Sequence, residues 1–128
     1  MKTLKRLLGD RGERAAASYL RKNKYKIKHR NYEIGKLEVD IIAEDKEHLI
    51  FVEVKTRTYD EGNIARFGSP VMAVDRKKQA NIIAAASAYI RRFPTEKRIR
   101  FDVIEVYTSN DARQRILSVH HMPDAFCR

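Results

Sequence analysis

Apolar residues recur along this chain with two periods, and the change between them marks out the elements. Across residues 3–23, Ala16, Ala17 and Leu20 fall at helical spacing. Asp10 followed by Glu13 has the D-x-x-E form of a capping box, which predicts a helix that starts or restarts at Arg11. Glu13 precedes Ala16 and Ala17 by three and four positions, so it falls on the apolar stripe and not on the solvent side. From Tyr25 the period shortens to two. Tyr25, Ile27 and His29 alternate with Lys26, Lys28 and Arg30, a half-buried strand with a basic outer face. Residues 31–35 read as a connection. Residues 37–43 predict a second strand with Leu37, Val39, Ile41 and Ala43 on one face and Glu38, Asp40 and Ile42 on the other. After a polar turn at 44–47, residues 48–56 predict a third strand. Ile50, Val52 and Val54 share one of its faces, and Leu49, Phe51, Glu53 and Lys55 share the other.

A long polar stretch follows over 56–69, with Gly62 and Gly68. Loops of that length in a compact domain are usually functional or mobile. Ser69-Pro70 suits the start of a short helix. Asp75 is placed to cap a longer one over 76–92, whose stripe is Gln79, Ile82, Ile83, Ala86, Tyr89 and Ile90, with Pro94 closing it. Residues 99–107 and 115–119 predict two further strands around a turn at Asn110-Asp111. The order is helix, three strands, helix, two strands. The second helix can serve as a crossover, so the expected class is α/β, a mixed central sheet flanked by helices, in one domain over residues 1–128.

Composition narrows the class. The 128 residues are 43% hydrophobic and 34% charged, which fits neither a membrane-embedded nor a disordered chain. The longest apolar run, residues 82–90, is too short to span a bilayer, and no long apolar segment follows the basic N-terminus. Cys127 is the only cysteine, so neither an intrachain disulfide nor a thiolate metal cluster forms. A soluble chain in a reducing, cytoplasmic compartment is the expectation.

The net charge of +10 is unevenly spread: +9 over residues 1–36, −4 over 37–74 and +5 over 75–128. A basic field attracts polyanions, phosphate backbones foremost. The acidic middle is more informative, because carboxylates concentrated inside a basic protein can hold a cation. Strands two and three should form a hairpin, and an even-numbered loop would bring Asp40 and Glu53 to one face, opposite or one step diagonal. Glu53 and Lys55 share a face in any register, and Leu49 and Phe51 on that face argue that it is partly buried. Glu13 comes from the apolar side of a helix that must pack on the sheet. Glu13, Asp40, Glu53 and Lys55, with Glu38 nearby, thus form a candidate cluster whose carboxylates would repel without a cation. Mg²⁺, or Mn²⁺, suits such oxygen ligands, and Lys55 could orient a water or meet charge at phosphorus. An E-V-K triplet by itself reads equally as an ordinary charged pair. Arg57, Arg66 and the loop around Gly62 lie just beyond Lys55, placed to meet a phosphate backbone, and Tyr59 or Phe67 either stacks on a base or anchors the loop. Asp102, between Phe101 and Val103, reads as a structural acceptor. His120 and His121 point to opposite faces, and His29 and His48 read as surface or edge residues.

Val39-Asp40 followed by Glu53-Val54-Lys55, a spacing of 13 positions, resembles the PD-(D/E)xK signature of restriction-endonuclease-like nucleases, with Val39 in place of the proline. Gly12-Glu13, Arg30-Asn31, Asp40-Ile41-Ile42-Ala43, the run from Phe51 to Arg57, Lys78-Gln79, Arg100-Phe101-Asp102-Val103 and Ala125-Phe126 together resemble the bacterial YraN family, itself similar to archaeal Holliday-junction resolvases. The resemblance covers residues 12–126. It departs from the family's Gly-Glu-x-Asp, since Lys36-Leu37 separates Gly35 from Glu38. It implies an αβββαβ core and a Mg²⁺-dependent endonuclease acting on DNA, branched DNA included, as a two-fold dimer. It also implies that Glu13, Asp40 and Glu53 occupy the acidic positions, Lys55 the lysine position and Gln79 an accessory one. Lys28, Arg30, Arg57, Arg66 and Lys78 are the expected nucleic-acid contacts. Two other readings remain open at this point: a non-catalytic nucleic-acid-binding protein on the same fold, and a protein whose basic surface meets an acidic partner.

Overall fold

In the computed structural model, residues 3–59 and 74–127 are described. Helix α1 (Leu4–Lys22) leads into strands β1 (Lys26–Ile34), β2 (Leu37–Glu44) and β3 (His48–Thr58); helix α2 (Arg76–Arg92) precedes β4 (Arg98–Thr108) and β5 (Ile116–Phe126). The five strands form one sheet in the order β1-β2-β3-β4-β5. Neighbours are antiparallel except β3 and β4, which run parallel from His48↔Arg98 to Thr58↔Thr108. A parallel pair needs a crossover, and α2 lies on it. The mixed α/β sheet expected from the sequence is present, and it is compatible with a restriction-endonuclease-like core. The short helix expected at Ser69-Pro70 lies outside the described residues.

The two helices cover opposite faces. Ala16, Ala17 and Leu20 of α1 pack with Ile41, Ala43, Ile50, Val52, Ile104 and Val106. Ile82, Ala85, Ala86 and Tyr89 of α2 pack with Ile42, Leu49, Phe51, Phe101 and Val103. With a helix on each side, β3 and β4 are buried on both faces, which is why they read as near-continuous apolar runs.

Four expectations need correcting. Helix α1 starts well before Arg11, because the Thr3 hydroxyl accepts the Arg6 amide at 3.1 Å and caps it there. Asp10 therefore sits inside the helix, 3.6 Å from Arg6 one turn earlier. Residues 31–34 continue β1, and the hairpin turns at Gly35-Lys36, where Gly35 has φ +58. Strand β5 is also longer than expected, reaching Phe126, because a register shift and the positive φ of Asp124 (53°) let pairing resume after Pro123.

The fourth correction matters most for function. Leu37, Val39, Ile41 and Ala43 do not share a face. Ile41 and Ala43 meet α1, whereas Val39 and Leu37 pack with Ile42 on the α2 side. Strand β1 changes sides in step: Arg30 lies beside Glu13 of α1, whereas Tyr32, only two positions on, packs with the α2 cluster. Between them Asn31 takes φ 51, a left-handed conformation that an extended strand lacks. The pleat of both strands thus reverses beside Asn31 and Asp40.

A polar staple lies under α1. Arg100 donates two bonds to Asp102, at 2.8 and 2.7 Å, and a third to the Tyr25 hydroxyl at 3.1 Å. His121 Nε2 lies 2.7 Å from Asp102 Oδ2, its Nδ1 lies 3.2 Å from the Tyr19 hydroxyl, and the Asp124 amide donates to Asp102 Oδ1 at 2.9 Å. Burial works to raise the Asp102 carboxyl, but the bonds from His121, Arg100 and Asp124 hold it below its ordinary range. Asp102 is therefore the structural acceptor expected, and it ties β4 to α1, to the start of β1 and to β5.

Candidate functional site

The site begins with a close approach. A Cβ at Gly12 would collide with the Thr56 hydroxyl and come within 2.9 Å of Thr56 Cβ. Only glycine lets α1 lie this near β3, and the next residue, Glu13, is thereby buried at 8% exposure.

Strand β2 brings Asp40. Its ladder with β3 runs from Glu44↔Leu49 to Ile41↔Val52, and continuing that register sets Asp40 across from Glu53. The four-residue loop between Glu44 and Leu49 meets the even-count condition. At this point the strand carbonyl is replaced by a side chain: Asp40 Oδ2 accepts the Val54 amide at 2.8 Å. The pleat reversal makes this exchange feasible, since it turns the strand where the ladder ends.

Strand β3 brings Glu53, which is 4% exposed. Lys78 Nζ lies 3.5 Å and Lys55 Nζ 3.9 Å from Glu53 Oε2. Burial pushes the Glu53 carboxyl well above its ordinary range, and the hydrogen bond and charge of Asp40 push it further, against the opposing pull of Lys78 and Lys55. Burial, then the charge of Asp40, raises the Glu13 carboxyl to about 7; Arg30 opposes this, while Asp10 and Glu38 add to it. Glu13 Oε1 and Glu53 Oε2 are buried without a hydrogen-bond partner among the described residues. Buried oxygens are rarely left so.

These features bear on a metal. Among the described residues, no three His, Cys, Asp or Glu side chains are gathered as a ready metal site. Mg²⁺ does not need one: it keeps several waters and is held by one or two carboxylates plus substrate phosphates. Asp40 and Glu53, two hard oxygen donors side by side, one with a buried oxygen that accepts no hydrogen bond among the described residues, fit that demand. Asp40 and Glu38 act on Glu13 through their charges, and among the described residues these acids form no preformed cage.

Other sequence candidates fall in varied places. Lys78, from the first turn of α2, reaches Glu53, while its amide is capped by Asp75 Oδ1 at 2.8 Å. Arg30 lies close enough to Glu13 to lower its pKa. The Gln79 side chain turns to the Val74 carbonyl at 3.0 Å, bracing the start of α2. Arg57 donates to Glu105 at 2.8 Å. Lys28 pairs with Glu44 at 3.8 Å, beside the other end of β2. Arg66, Phe67 and Gly62 lie outside the described residues; the Tyr59 amide, still within them, donates to Thr108 O at 2.8 Å. His29 is no bare surface residue, since its ring packs on Tyr32 and Tyr89 at 4.8 and 5.6 Å.

One residue escaped the sequence reading. Glu105, 1% exposed, sits across from Lys55 in the parallel ladder and holds Arg57, with the Tyr107 hydroxyl 3.3 Å from the same oxygen. Its signal was present: a lone acid inside the apolar run from Val103 to Tyr107.

No described helix is long and apolar enough to cross a membrane. Comparison with known proteins places this geometry in a lineage. Residues 12–106, which hold every described member of the site, match the model of the "Uncharacterised protein family UPF0102". A UPF0102 protein of Phocaeicola vulgatus is 41% identical over 118 residues, covering 92% of this chain and 90% of that protein. One from Chlorobium chlorochromatii is 42% identical over 121 residues, 93% of this chain and 90% of its own. One from Caldanaerobacter subterraneus subsp. tengcongensis is 40% identical over 126 residues, 98% of each. With matches of this identity running through α1, the Asp40–Glu53 hairpin and β4, the chain belongs to the uncharacterised protein family UPF0102, the YraN family its motifs resemble.

Proposed function

We propose that this protein is a metal-dependent endonuclease that hydrolyses DNA phosphodiesters. The observation that carries the reading is the Asp40–Glu53 pair: two adjacent carboxyls, one buried and held toward its protonated form by the other, with two lysines at its edge. Asp40 and Glu53 would hold Mg²⁺ or Mn²⁺. When bound, such an ion lowers the pKa of a water and polarises a phosphoryl oxygen. The chain's own groups do the rest. Lys55 orients the attacking water or meets the negative charge that grows at phosphorus. Lys78 presents a second ammonium to the same place. Glu13, with its carboxyl near 7, is suited to exchange a proton at neutral pH.

Branched DNA is the substrate class that the likeness to junction resolvases suggests, with a two-fold dimer making the paired cuts; this part rests on fold-level analogy. The second reading, nucleic-acid binding without cleavage, draws on arginines outside the carboxylate pair. Linear, single-stranded, flap and four-way substrates incubated with Mg²⁺, Mn²⁺ or EDTA separate the two. Cleavage only with metal, lost in Asp40→Ala while binding persists, supports the nuclease; equal binding in EDTA and Mg²⁺ with no cut supports the alternative.

A further inference from the structure

The N-terminal half of α1 and the middle of β1 enclose a groove of about 710 Å³ lined by Arg6, Leu7, Asp10, Arg11, Arg14, Arg30 and Asn31. Four guanidinium groups face one carboxylate. Arg6 lies 3.6 Å from that carboxylate, Asp10, and Arg11 donates to the Arg113 carbonyl at 3.4 Å, so its charge is not neutralised. Arg14 and Arg30 are exposed and have no hydrogen bond or ion pair among the described residues. Unpaired like charges on neighbouring elements repel, and a protein that keeps them there gains when an anion lies between.

The groove leads to the site. Arg6 and Asp10 also line an adjoining hollow of about 340 Å³, and that hollow is walled by Glu13. Arg30 and Asp10 both act on the Glu13 carboxyl. Asn31, at the groove floor, is where β1 reverses its pleat alongside Asp40. A strand lying along the arginines would therefore run on toward Glu13 and the Asp40–Glu53 pair.

We infer that this groove is a phosphate-backbone track, in which Arg6, Arg11, Arg14 and Arg30 hold a nucleic-acid strand and lead it to the carboxylate pair. The inference rests on the nuclease reading for its direction but on the groove for its binding. Arginine suits the task because its planar fork matches a phosphate's oxygens. Among the described residues no aromatic side chain lines the groove, so its arginines recognise the backbone, independent of sequence.

The test is salt-dependent DNA binding by the full chain in EDTA, where cleavage plays no part. Arg14→Gln/Arg30→Gln should weaken binding and flatten the plot of log K against log salt by about 0.9 for each phosphate left without its arginine on duplex, or about 0.7 on single strands. Arg91→Gln/Arg92→Gln, at the far end of α2, should leave the slope unchanged. Two unrelated DNA sequences should give the same result. An unchanged slope in the groove variant, an equal loss in both variants, or no binding by the wild type at low salt would each overturn the track. Failure of metal-dependent cleavage with the slope change intact would overturn the nuclease reading alone.

Discussion

Glu53 and Glu13 are acids in surroundings that favour their neutral forms, and this has consequences for stability. The Glu13 carboxyl is raised from 4.5 to about 7 in the fold. The folded chain therefore holds a proton there that the unfolded chain releases, and stability falls as pH rises between about 4.5 and 7. Glu13→Gln keeps the shape and removes the titration. Denaturant unfolding from pH 4 to 8 should show a shallower decline in that variant than in the wild type; identical profiles would mean that Glu13 is not the titrating group. Glu105 makes a separate case. It is buried and accepts a bond from the half-buried Arg57, so Glu105→Ala should cost about 1.5–3 kcal/mol through the lost charge-assisted hydrogen bond, read as a drop in the unfolding midpoint. This residue also shows where sequence reading stops. An acid flanked by Val103, Ile104, Val106 and Tyr107 announces a buried carboxyl, but its partner, Arg57, comes from a parallel neighbour 48 positions earlier, and only the crossover reveals that.

At the scale of elements, α1 is positioned by the absence of a side chain. A glycine inside a helix costs about 1 kcal/mol relative to alanine. Gly12 is kept at that cost because Thr56 occupies the space a Cβ needs. Gly12→Ala should therefore destabilise the protein by about 1–3 kcal/mol despite its better propensity. Thr56→Ala in the same chain should restore only part, since Thr56 Cβ at 2.9 Å stays in the way. Thermal melts of the single and double variants would show this; a stabilised Gly12→Ala would mean that α1 does not pack so closely. The helical stripe, the Asp75 cap, the period-two strands and the hairpin pairing were all legible, because each depends on neighbours in sequence. The reversal at Asn31 and Asp40 was not. Strict alternation put Val39 and Ile41 on one face, and nothing local signals that a left-handed Asn31 in β1 would turn β2 with it. Asp40 owes its bond to the Val54 amide to that turn.

Over the whole molecule, the segmental charge becomes spatial. The strongly basic N-terminal third supplies the α1–β1 groove, and the acidic middle supplies Asp40 and Glu53 at its end. A bound divalent ion should stabilise the fold through mass action, because it prefers the assembled pair over the unfolded chain. Mg²⁺ at pH 8 should thus raise the melting temperature of the wild type and leave that of Asp40→Asn unchanged; equal shifts would place the ion elsewhere. The direct measurement is cleavage of linear, single-stranded, flap and four-way DNA by purified wild type, Asp40→Ala and Lys55→Ala, each with Mg²⁺, Mn²⁺ or EDTA. Metal-dependent cuts by the wild type, reduced by at least about 100-fold in both variants while DNA binding persists, are the expected result. No cut in any substrate with either metal, or equal cutting by all three proteins, would contradict the assignment of a phosphodiester-hydrolysing site to Asp40, Glu53 and Lys55.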